Sequence, residues 1–514
     1  MSPYAIHSTN FEEVHVNGSG GYSNGANAEF FLDNFEKGNR SYLQPTDENE
    51  LHDLVCVGFG PASLAIAIAL HDSLEKEGLG SSENGPKVAF LEQQPRFAWH
   101  AGMLLEGSKM QISFIKDMAT LRNPRSSFTF LNYLHTKGRL VQFSNLDTFL
   151  PLRIEFEDYL RWCAEWFDDV AHYNQEVLEV RPEKSWKGTQ QIDSFAVVSR
   201  NKHTGAISTR KAKYVVLAAG GRPNIPRLFP EQHPRLLHSS KFAYQIQNML
   251  PERNAPYKIA VVGGGQSAAE IFNNLHSRYP NCHTRLILKS FALKPSDDSP
   301  FVNEIFDPDR VQPFFNQPAE KRAAMILNNR LTNYGVVRLE LIEHLYETLY
   351  MQRLVQPDEE RWQHRILNNS NIVAVDAETS ERLTLQIERD GQLTGHDFDA
   401  VILATGYARD MHEDFLAPAR YLMPGGDAPG KTWEVERDYR VIFEEGAISS
   451  DAGVFLQGCC ESTHGLADSL LSILAVRGGE IVQSIFGNKF SRDARIGQFD
   501  SITGEPTLAV KPIY

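Results

Sequence analysis

The sequence predicts an α/β protein with two Rossmann-like dinucleotide-binding domains and a small substrate-binding region between them. Two glycine-rich junctions carry the prediction, each joining an apolar strand to a helix. The first is Asp53-Leu54-Val55-Cys56-Val57-Gly58-Phe59-Gly60-Pro61-Ala62-Ser63, followed by the apolar run Leu64 to Leu70. The second is Ile259-Ala260-Val261-Val262-Gly263-Gly264-Gly265-Gln266-Ser267-Ala268-Ala269-Glu270. In both, small residues let the backbone approach a pyrophosphate, whose charge is met by the amides at a helix N-terminus. One such turn is a weak signal, since similar junctions occur in α/β proteins that bind nothing there. Two of them, separated by the strand-like Tyr214-Val215-Val216-Leu217-Ala218-Ala219-Gly220-Gly221, imply two dinucleotides on one chain. That is the arrangement expected when a flavin takes hydride from a nicotinamide.

Residues 1–50 are rich in Asn, Gly and Ser and lack periodicity, so they read as a disordered leader. The fold begins near Leu51. A second strand, Lys87 to Glu92, ends in an acid at the place where a carboxylate binds a ribose hydroxyl, with Glu75 to Pro86 read as an inserted loop. A surface carboxylate is the alternative for Glu92. Between Glu155 and Phe167 the residues Phe156, Tyr159, Leu160, Trp162, Cys163 and Trp166 recur at helical spacing, which indicates core packing. Val177 to Val198 alternates as a strand excursion, and Gly221-Arg222-Pro223 closes the third strand of the first unit. The second unit ends with the strand Ala400 to Tyr407, and Gly453 to Ile485 returns a strand and a helix to the first. The expected domains are 51–222 with 407–490 for the flavin, 223–406 for the nicotinamide, and a tail over 491–514.

Composition narrows the function. At 514 residues and 42% hydrophobic content the chain is long enough for two or three domains with cores of their own. The formal charge of −14 disfavours nucleic acid or an anionic membrane as the main partner. No apolar run approaches the length of a membrane span, and the N-terminus lacks a signal-peptide pattern, which makes the cytoplasm the expected location. The five cysteines, Cys56, Cys163, Cys282, Cys459 and Cys460, show no C-x-x-C spacing and read as reduced thiols; no metal site is expected. The adjacent Cys459 and Cys460 are better read as a strand end than as a redox dithiol.

Several segments mix apolar bodies with isolated charges and lack a clean period, as loops lining a pocket do. They are Phe97 to His100, Lys109 to Asp117, Leu121 to Phe130, Lys294 to Glu304, Thr332 to Tyr334 and His464 to Ser472. With Gly58-x-Gly60-Pro61-x-Ser63, Gly263-x-Gly265-Gln266-Ser267-Ala268 and Leu403-Ala404-Thr405-Gly406-Tyr407, they make the chain closely resemble the flavin-dependent N-hydroxylating monooxygenases of fungal siderophore biosynthesis, over roughly residues 50 to 487. One departure is Gly264, where that family often has serine.

The resemblance implies FAD and NADPH as cofactors and L-ornithine and O₂ as substrates. The product would be N(5)-hydroxyornithine, formed when the neutral side-chain amine attacks a hydroperoxide on the reduced flavin, and the enzyme would be a homotetramer. It implies FAD contacts at Gly58, Gly60, Pro61, Ser63, Glu92, Trp99, His100, Met110, Gln111, Val177, Asp468, Ser469 and Leu470. NADPH would meet Gly263, Gly264, Gly265, Gln266, Ser267, Asn333 and Tyr334, with Lys289 where the family commonly has arginine facing the 2′-phosphate. Lys116 and Asn333 would hold the amino-acid carboxylate and Asn303 the side-chain amine, with Ser469 or Ser472 also touching ornithine. Two of these roles have support in the residues themselves. Lys289 follows the strand Arg285 to Leu288, where a base favours a 2′-phosphate and an acid repels it. Lys116 sits among Phe114, Ile115 and Met118, a setting in which a cation needs a carboxylate partner, either a substrate or a protein acid such as Asp117. The competing functions are lysine N-hydroxylation and a flavin-binding redox sensor that oxidises NADPH without a substrate.

Overall fold

A computed structural model describes residues 41–77, 85–184 and 190–487. The leader before residue 41 and the expected tail lie outside the described residues. In chain order the first sheet contains β1 (Leu51–Val57), β2 (Val88–Leu91), β3 (Ala171–His172), β4 (Gln175–Pro182), β5 (Phe195–Asn201) and β6 (Ile207–Leu217). Helix α1 (Pro61–Lys76) follows β1, and α2 (Arg153–Ala164) precedes β3. The second unit contains β7 (Leu236–His238), β8 (Lys258–Val262), α3 (Gln266–Arg278), β9 (His283–Ile287), α4 (Leu339–Val355) and β10 (His364–Leu367). It continues with β11 (Ser370–Asp376), β12 (Leu383–Arg389), β13 (Gln392–Phe398) and β14 (Ala400–Leu403). The chain then returns to the first sheet with β15 (Gly453–Leu456) and α5 (Leu474–Phe486).

The parallel strands of the first sheet lie in the order β3-β2-β1-β6-β15, and those of the second in the order β10-β9-β8-β14-β7. Each unit also carries a three-stranded antiparallel excursion, β4-β5-β6 in the first and β11-β12-β13 in the second. Strand β14 and β1 from Leu54 to Val57 are apolar and wholly buried, as parallel strands covered on both faces require. Strand β6 does two jobs. Its first half pairs antiparallel with β5 and alternates between exposed and buried, whereas its second half lies between β1 and β15 and is buried throughout from Val215 to Leu217.

The structure corrects four expectations. The leader ends earlier than residue 50, because Leu43 is buried, Tyr42 stacks on His71 and Ser41 N–H donates to Trp166 O at 2.9 Å. The excursion read over Val177 to Val198 is a pair of strands, β4 and β5. The third strand of the first unit ends at Leu217; Arg222–Pro223 instead pairs antiparallel with Tyr407–Ala408, tying the two crossings between units together. Helix α1 runs to Lys76, so Glu75, read as the start of the inserted loop, is helical. The helical spacing of aromatics is realised in α2, whose Phe156 and Tyr159 pack with Phe130 at ring separations of 5.8 and 5.4 Å. No helix among the described residues is long and apolar enough to cross a membrane.

The second unit encloses a stacked pair of imidazoles, His276 and His364, with ring centroids 3.6 Å apart. Thr284 Oγ1 lies 2.8 Å from His364 Nδ1 and 3.4 Å from His276 Nε2. Burial pushes His276 down to about 3 and His364 down to about 4, so both are neutral in the folded state. Above the ordinary histidine value, near 6.5, neither state binds these protons and the pair has no pH-linked effect. As the pH falls from there toward 4, the unfolded chain takes up protons that the folded chain refuses, and stability is lost at up to about 1.4 kcal/mol per pH unit for each ring. Thermal unfolding between pH 7 and 5 is expected to show this loss, and His276→Phe is expected to flatten the slope. An unchanged slope in that variant would mean that the ring titrates alike in the folded and unfolded chain.

Candidate active site

The flavin turn follows directly from β1. Gly58 has φ +88°, and a Cβ there would lie 2.7 Å from Ala218 O, so only glycine fits between the two central strands. Gly60 caps α1 without any side-chain cap, and a Cβ on Gly60 would meet nothing within 4 Å. The backbone at the N-terminus of α1 is therefore open at Gly60, which is where a pyrophosphate would approach the helix. Glu92, at the end of β2, is buried and held across the turn: Phe59 N–H donates to its Oε2 at 2.9 Å and Gln94 N–H to its Oε1 at 2.8 Å. Its remaining lone pairs suit ribose hydroxyls, and the surface alternative for this carboxylate is set aside. These features fit an adenine dinucleotide.

Other expected flavin residues are distributed around this turn. Met110 is buried with its N–H on Pro151 O, Gln111 is exposed beside it, and Val177 is buried on β4. Trp99 packs edge-on against His100 at 5.1 Å, and His100 in turn against Tyr407 at 5.8 Å. Tyr407 meets His238 at 5.3 Å, so this line of rings runs from the first unit into the second. Asp468 is fully committed within the protein. Its Oδ1 pairs with Arg477 at 2.9 Å and its Oδ2 accepts from Cys460 N–H at 2.7 Å, so its carboxylate fixes the segment before α5.

The nicotinamide turn is tighter. Gly263 has φ +144°, and a Cβ there would stand 2.4 Å from Ala404 O. Gly264 is different: a Cβ would make ordinary contacts at 3.7 Å with Leu288 and Ser290. Gln266 opens α3 with its side chain engaged at both ends, donating to Glu270 Oε1 at 2.9 Å and accepting from Arg338 N–H at 2.9 Å. Glu270 receives both arms of Arg153 from α2, at 2.8 and 2.9 Å, and Arg153 also donates to Met103 O. A buried bidentate ion pair thus joins the helix that follows the nicotinamide turn to a helix of the first unit. Neither Arg153 nor Glu270 was expected as part of the site. The available signal was an acid on the buried face of α3, three residues beyond Ser267.

A cleft of about 970 Å³ collects most of the expected substrate and NADPH residues. It is lined by Gln111 and Lys116 from the first unit, by Gly263 to Ser267 and Lys289, and by Asn303, Asn333, Tyr334, Leu470 and Ser472. Lys289 is exposed just past β9 and has no carboxylate within ion-pair distance among the described residues. Ser469 and Asp468 do not line the cleft, although Ser469 lies within hydrogen-bond reach of Tyr334.

Lys116 has a protein partner, and it is Asp307 rather than Asp117. The Nζ to Oδ1 distance is 3.6 Å and the lysine side chain is 22% exposed. Asp117 is occupied in a turn, accepting from Ala119 N–H at 2.9 Å, Thr120 N–H at 2.6 Å, Thr120 Oγ1 at 2.7 Å and Phe130 N–H at 2.7 Å. That knot aims the neighbouring Lys116 into the cleft. Asn303 donates from Nδ2 to Asp298 O at 2.7 Å, which leaves its amide oxygen as an acceptor. Tyr334 donates to Glu461, and burial together with that carboxylate pushes its phenol up to about 12. Ser472 donates to Phe306 O at 3.2 Å.

The sequence pattern described as L-lysine 6-monooxygenase/L-ornithine 5-monooxygenase matches residues 50–409. A Cochliobolus heterostrophus protein named L-ornithine N(5)-monooxygenase is 56% identical over 472 residues, covering 87% of this chain and 89% of its own length. The solved ornithine hydroxylase PvdA from Pseudomonas aeruginosa superposes with a TM-score of 0.76 at 37% identity, covering 86% of this chain and all of its own. The Kutzneria ornithine N-hydroxylase KtzI, solved with reduced FAD, NADP⁺ and L-ornithine, superposes at 0.75 with 35% identity over 86% of this chain and all of its own. Matched along most of its length in sequence and in fold, the chain belongs to the L-lysine 6-monooxygenase/L-ornithine 5-monooxygenase family.

Proposed function

We propose that this protein is an FAD- and NADPH-dependent L-ornithine N(5)-monooxygenase that hydroxylates the side-chain amine with O₂, for hydroxamate siderophore synthesis in the cytoplasm. The observation that carries the reading is one cleft lined together by Lys116, Asn303, Asn333, the glycine turn Gly263 to Ser267 and Lys289. Bound FAD would accept hydride from NADPH and activate O₂. The protein's share is binding, orientation and exclusion of water. The turn at Gly58 to Ser63 with Glu92 would hold FAD, and Gly263 to Ser267 with Lys289 would hold NADPH. Lys116 would exchange Asp307 for the substrate carboxylate, assisted by Asn333. The amide oxygen of Asn303 accepts an N–H of the terminal amine, which must be neutral to react, so rates rise with pH toward the amine's ordinary value near 10. In this reading residues 51–222 with 407–490 form the FAD domain and 223–406 the NADPH domain, and the enzyme assembles as a homotetramer.

Lysine hydroxylation is the nearest rival, because the family includes both activities. A pocket that fixes the carboxylate at Lys116 gauges chain length at Asn303, and one methylene changes binding by only about 1–3 kcal/mol. Hydroxylation discriminates more sharply, because the reacting atoms must approach to roughly 3–3.5 Å. Mass-resolved product analysis with FAD, NADPH, O₂ and each amino acid is expected to give hydroxyornithine in step with NADPH consumed. Lysine is expected to stimulate NADPH oxidation with little product. Equal conversion of lysine would overturn the length gauge, and NADPH oxidation without any hydroxylated amine would favour the redox sensor.

The cofactor preference has its own test. Lys289→Glu replaces a charge-assisted contact worth about 1.5–3 kcal/mol by repulsion, so the KM for NADPH is expected to rise at least about tenfold while NADH use changes little. Equal losses with both nucleotides would remove Lys289 from the site.

A further inference from the structure

We propose that Arg330 is the counter-charge of the nicotinamide cofactor's pyrophosphate. The segment that carries it lies across the N-terminus of α3. A Cβ on Gly265, the residue that caps this helix, would stand 3.6 Å from Gly335 Cα, and Arg338 N–H donates to Gln266 Oε1 at 2.9 Å. Residues 330–338 therefore wall the cleft against the glycine turn. A pyrophosphate carries two negative charges, whereas a helix N-terminus presents the equivalent of about half a positive one. Binding there calls for a side-chain cation as well.

Among the cations that line the cleft, Lys116 is paired with Asp307, and Arg338 with Asp298 and Glu340. Lys289, Lys294 and Arg330 have no carboxylate within ion-pair distance among the described residues. Lys289 follows β9, where the reading above sets the 2′-phosphate. Lys294 starts the short strand that pairs with Val336–Val337, and its ammonium has no hydrogen-bond partner among the described residues. Arg330 is held in place. Its guanidinium carbon lies 5.5 Å from the centroid of the Tyr334 ring, and that ring is anchored by its own hydroxyl on Glu461. The Arg330 carbonyl also accepts from Asn333 N–H at 3.2 Å and from Tyr334 N–H at 2.9 Å, which fixes the turn below the side chain. A guanidinium over an aromatic face keeps its N–H edge free, and its planar fork matches two phosphate oxygens as an ammonium does not. The proposal rests on the reading of Gly263 to Ser267 as the nicotinamide turn. It adds a contact to the part that NADPH and NADH share, so loss of Arg330 differs in kind from loss of Lys289.

The test is binding of NADP⁺ and of NAD⁺ to the full-length, FAD-loaded enzyme, measured by calorimetric titration without turnover. Arg330→Gln is expected to raise the Kd of both nucleotides by the same factor, about tenfold to a hundredfold, whereas Lys289→Glu raises that of NADP⁺ alone. Arg330→Lys keeps the charge without the fork and is expected to recover part of the loss. The Arg330 side chain is exposed, so FAD content and thermal unfolding are expected to match the unmodified chain. The ornithine KM at saturating NADPH is expected to change little. Unchanged Kd values in Arg330→Gln, a loss confined to NADP⁺, or a raised ornithine KM with nucleotide binding intact would each overturn the proposal. Loss of both nucleotides in Lys294→Gln but not in Arg330→Gln would give the role to Lys294 instead. An unmodified chain that binds neither nucleotide would refute the nicotinamide turn itself, and the proposal with it.

Discussion

Lys116→Ala is expected to abolish productive ornithine binding while leaving FAD bound and reducible by NADPH. The lysine is the cation in the cleft that the Asp117 knot aims at the substrate side, and its present partner Asp307 is only partly buried at 3.6 Å. A contact between ionised groups in such a setting contributes about 1.5–3 kcal/mol, and its loss leaves the substrate carboxylate without its counter-charge. The expected rise in KM is therefore from tenfold to more than a hundredfold. Neither glycine turn touches Lys116, so NADPH oxidation continues and its reducing equivalents leave as hydrogen peroxide rather than hydroxyornithine. Comparing oxygen consumed with hydroxylated product measures this directly. Asp307→Asn makes a control of opposite sign: it removes the competing carboxylate, so ornithine is expected to bind as well as before or more tightly. Wild-type KM in Lys116→Ala would exclude the residue as the carboxylate ligand.

Gly263→Ala is expected to be the most damaging single methyl group in the nicotinamide site. The new Cβ would lie 2.4 Å from Ala404 O and 3.1 Å from Ala404 C, both backbone atoms of the segment following β14, and φ at +144° is itself unfavourable for alanine. Backbone strain of about 1–3 kcal/mol adds to the displacement of a central strand, and a total destabilisation of about 3 kcal/mol or more is expected. The turn also moves relative to the N-terminus of α3, so flavin reduction by NADPH slows even in molecules that remain folded. Gly264→Ser, with 3.7 Å of room, is expected to keep both stability and reduction rate. Thermal unfolding and stopped-flow reduction separate the two variants. Similar behaviour of both would refute the steric argument.

The features legible in the sequence are those encoded over a few neighbouring residues. Strand followed by glycine followed by helix is local, and both turns stand where the sequence put them, as do the aromatic stripe of α2 and the return of β15 and α5. What escaped is encoded by distance. Arg153 and Glu270 meet across two units, and nothing in the residues around either one specifies the other. Asp307 is the partner of Lys116 from a distant part of the chain, while Asp117, the closer acid in sequence, accepts from Ala119, Thr120 and Phe130 instead. The ion pair of Asp468 with Arg477, on the helix that follows, was likewise not read from the sequence. Residues 41–50 were read as leader because their composition is polar, although one buried leucine and one stacked tyrosine are enough to dock them.

The position of β15 sets the order in which the molecule can be made. During synthesis β6 emerges early, with Val215, Val216 and Leu217 paired to β1 on one side and open on the other. Its missing neighbour is the last strand of the described chain, so the whole second unit must leave the ribosome first. That unit has all of its own strands in one continuous stretch and can fold while the first sheet is still waiting with an unpaired apolar edge, a surface prone to mispairing. The later-encoded unit therefore completes before the earlier one. Shortened products that stop before residue 453 would carry a finished second unit beside an aggregation-prone first sheet.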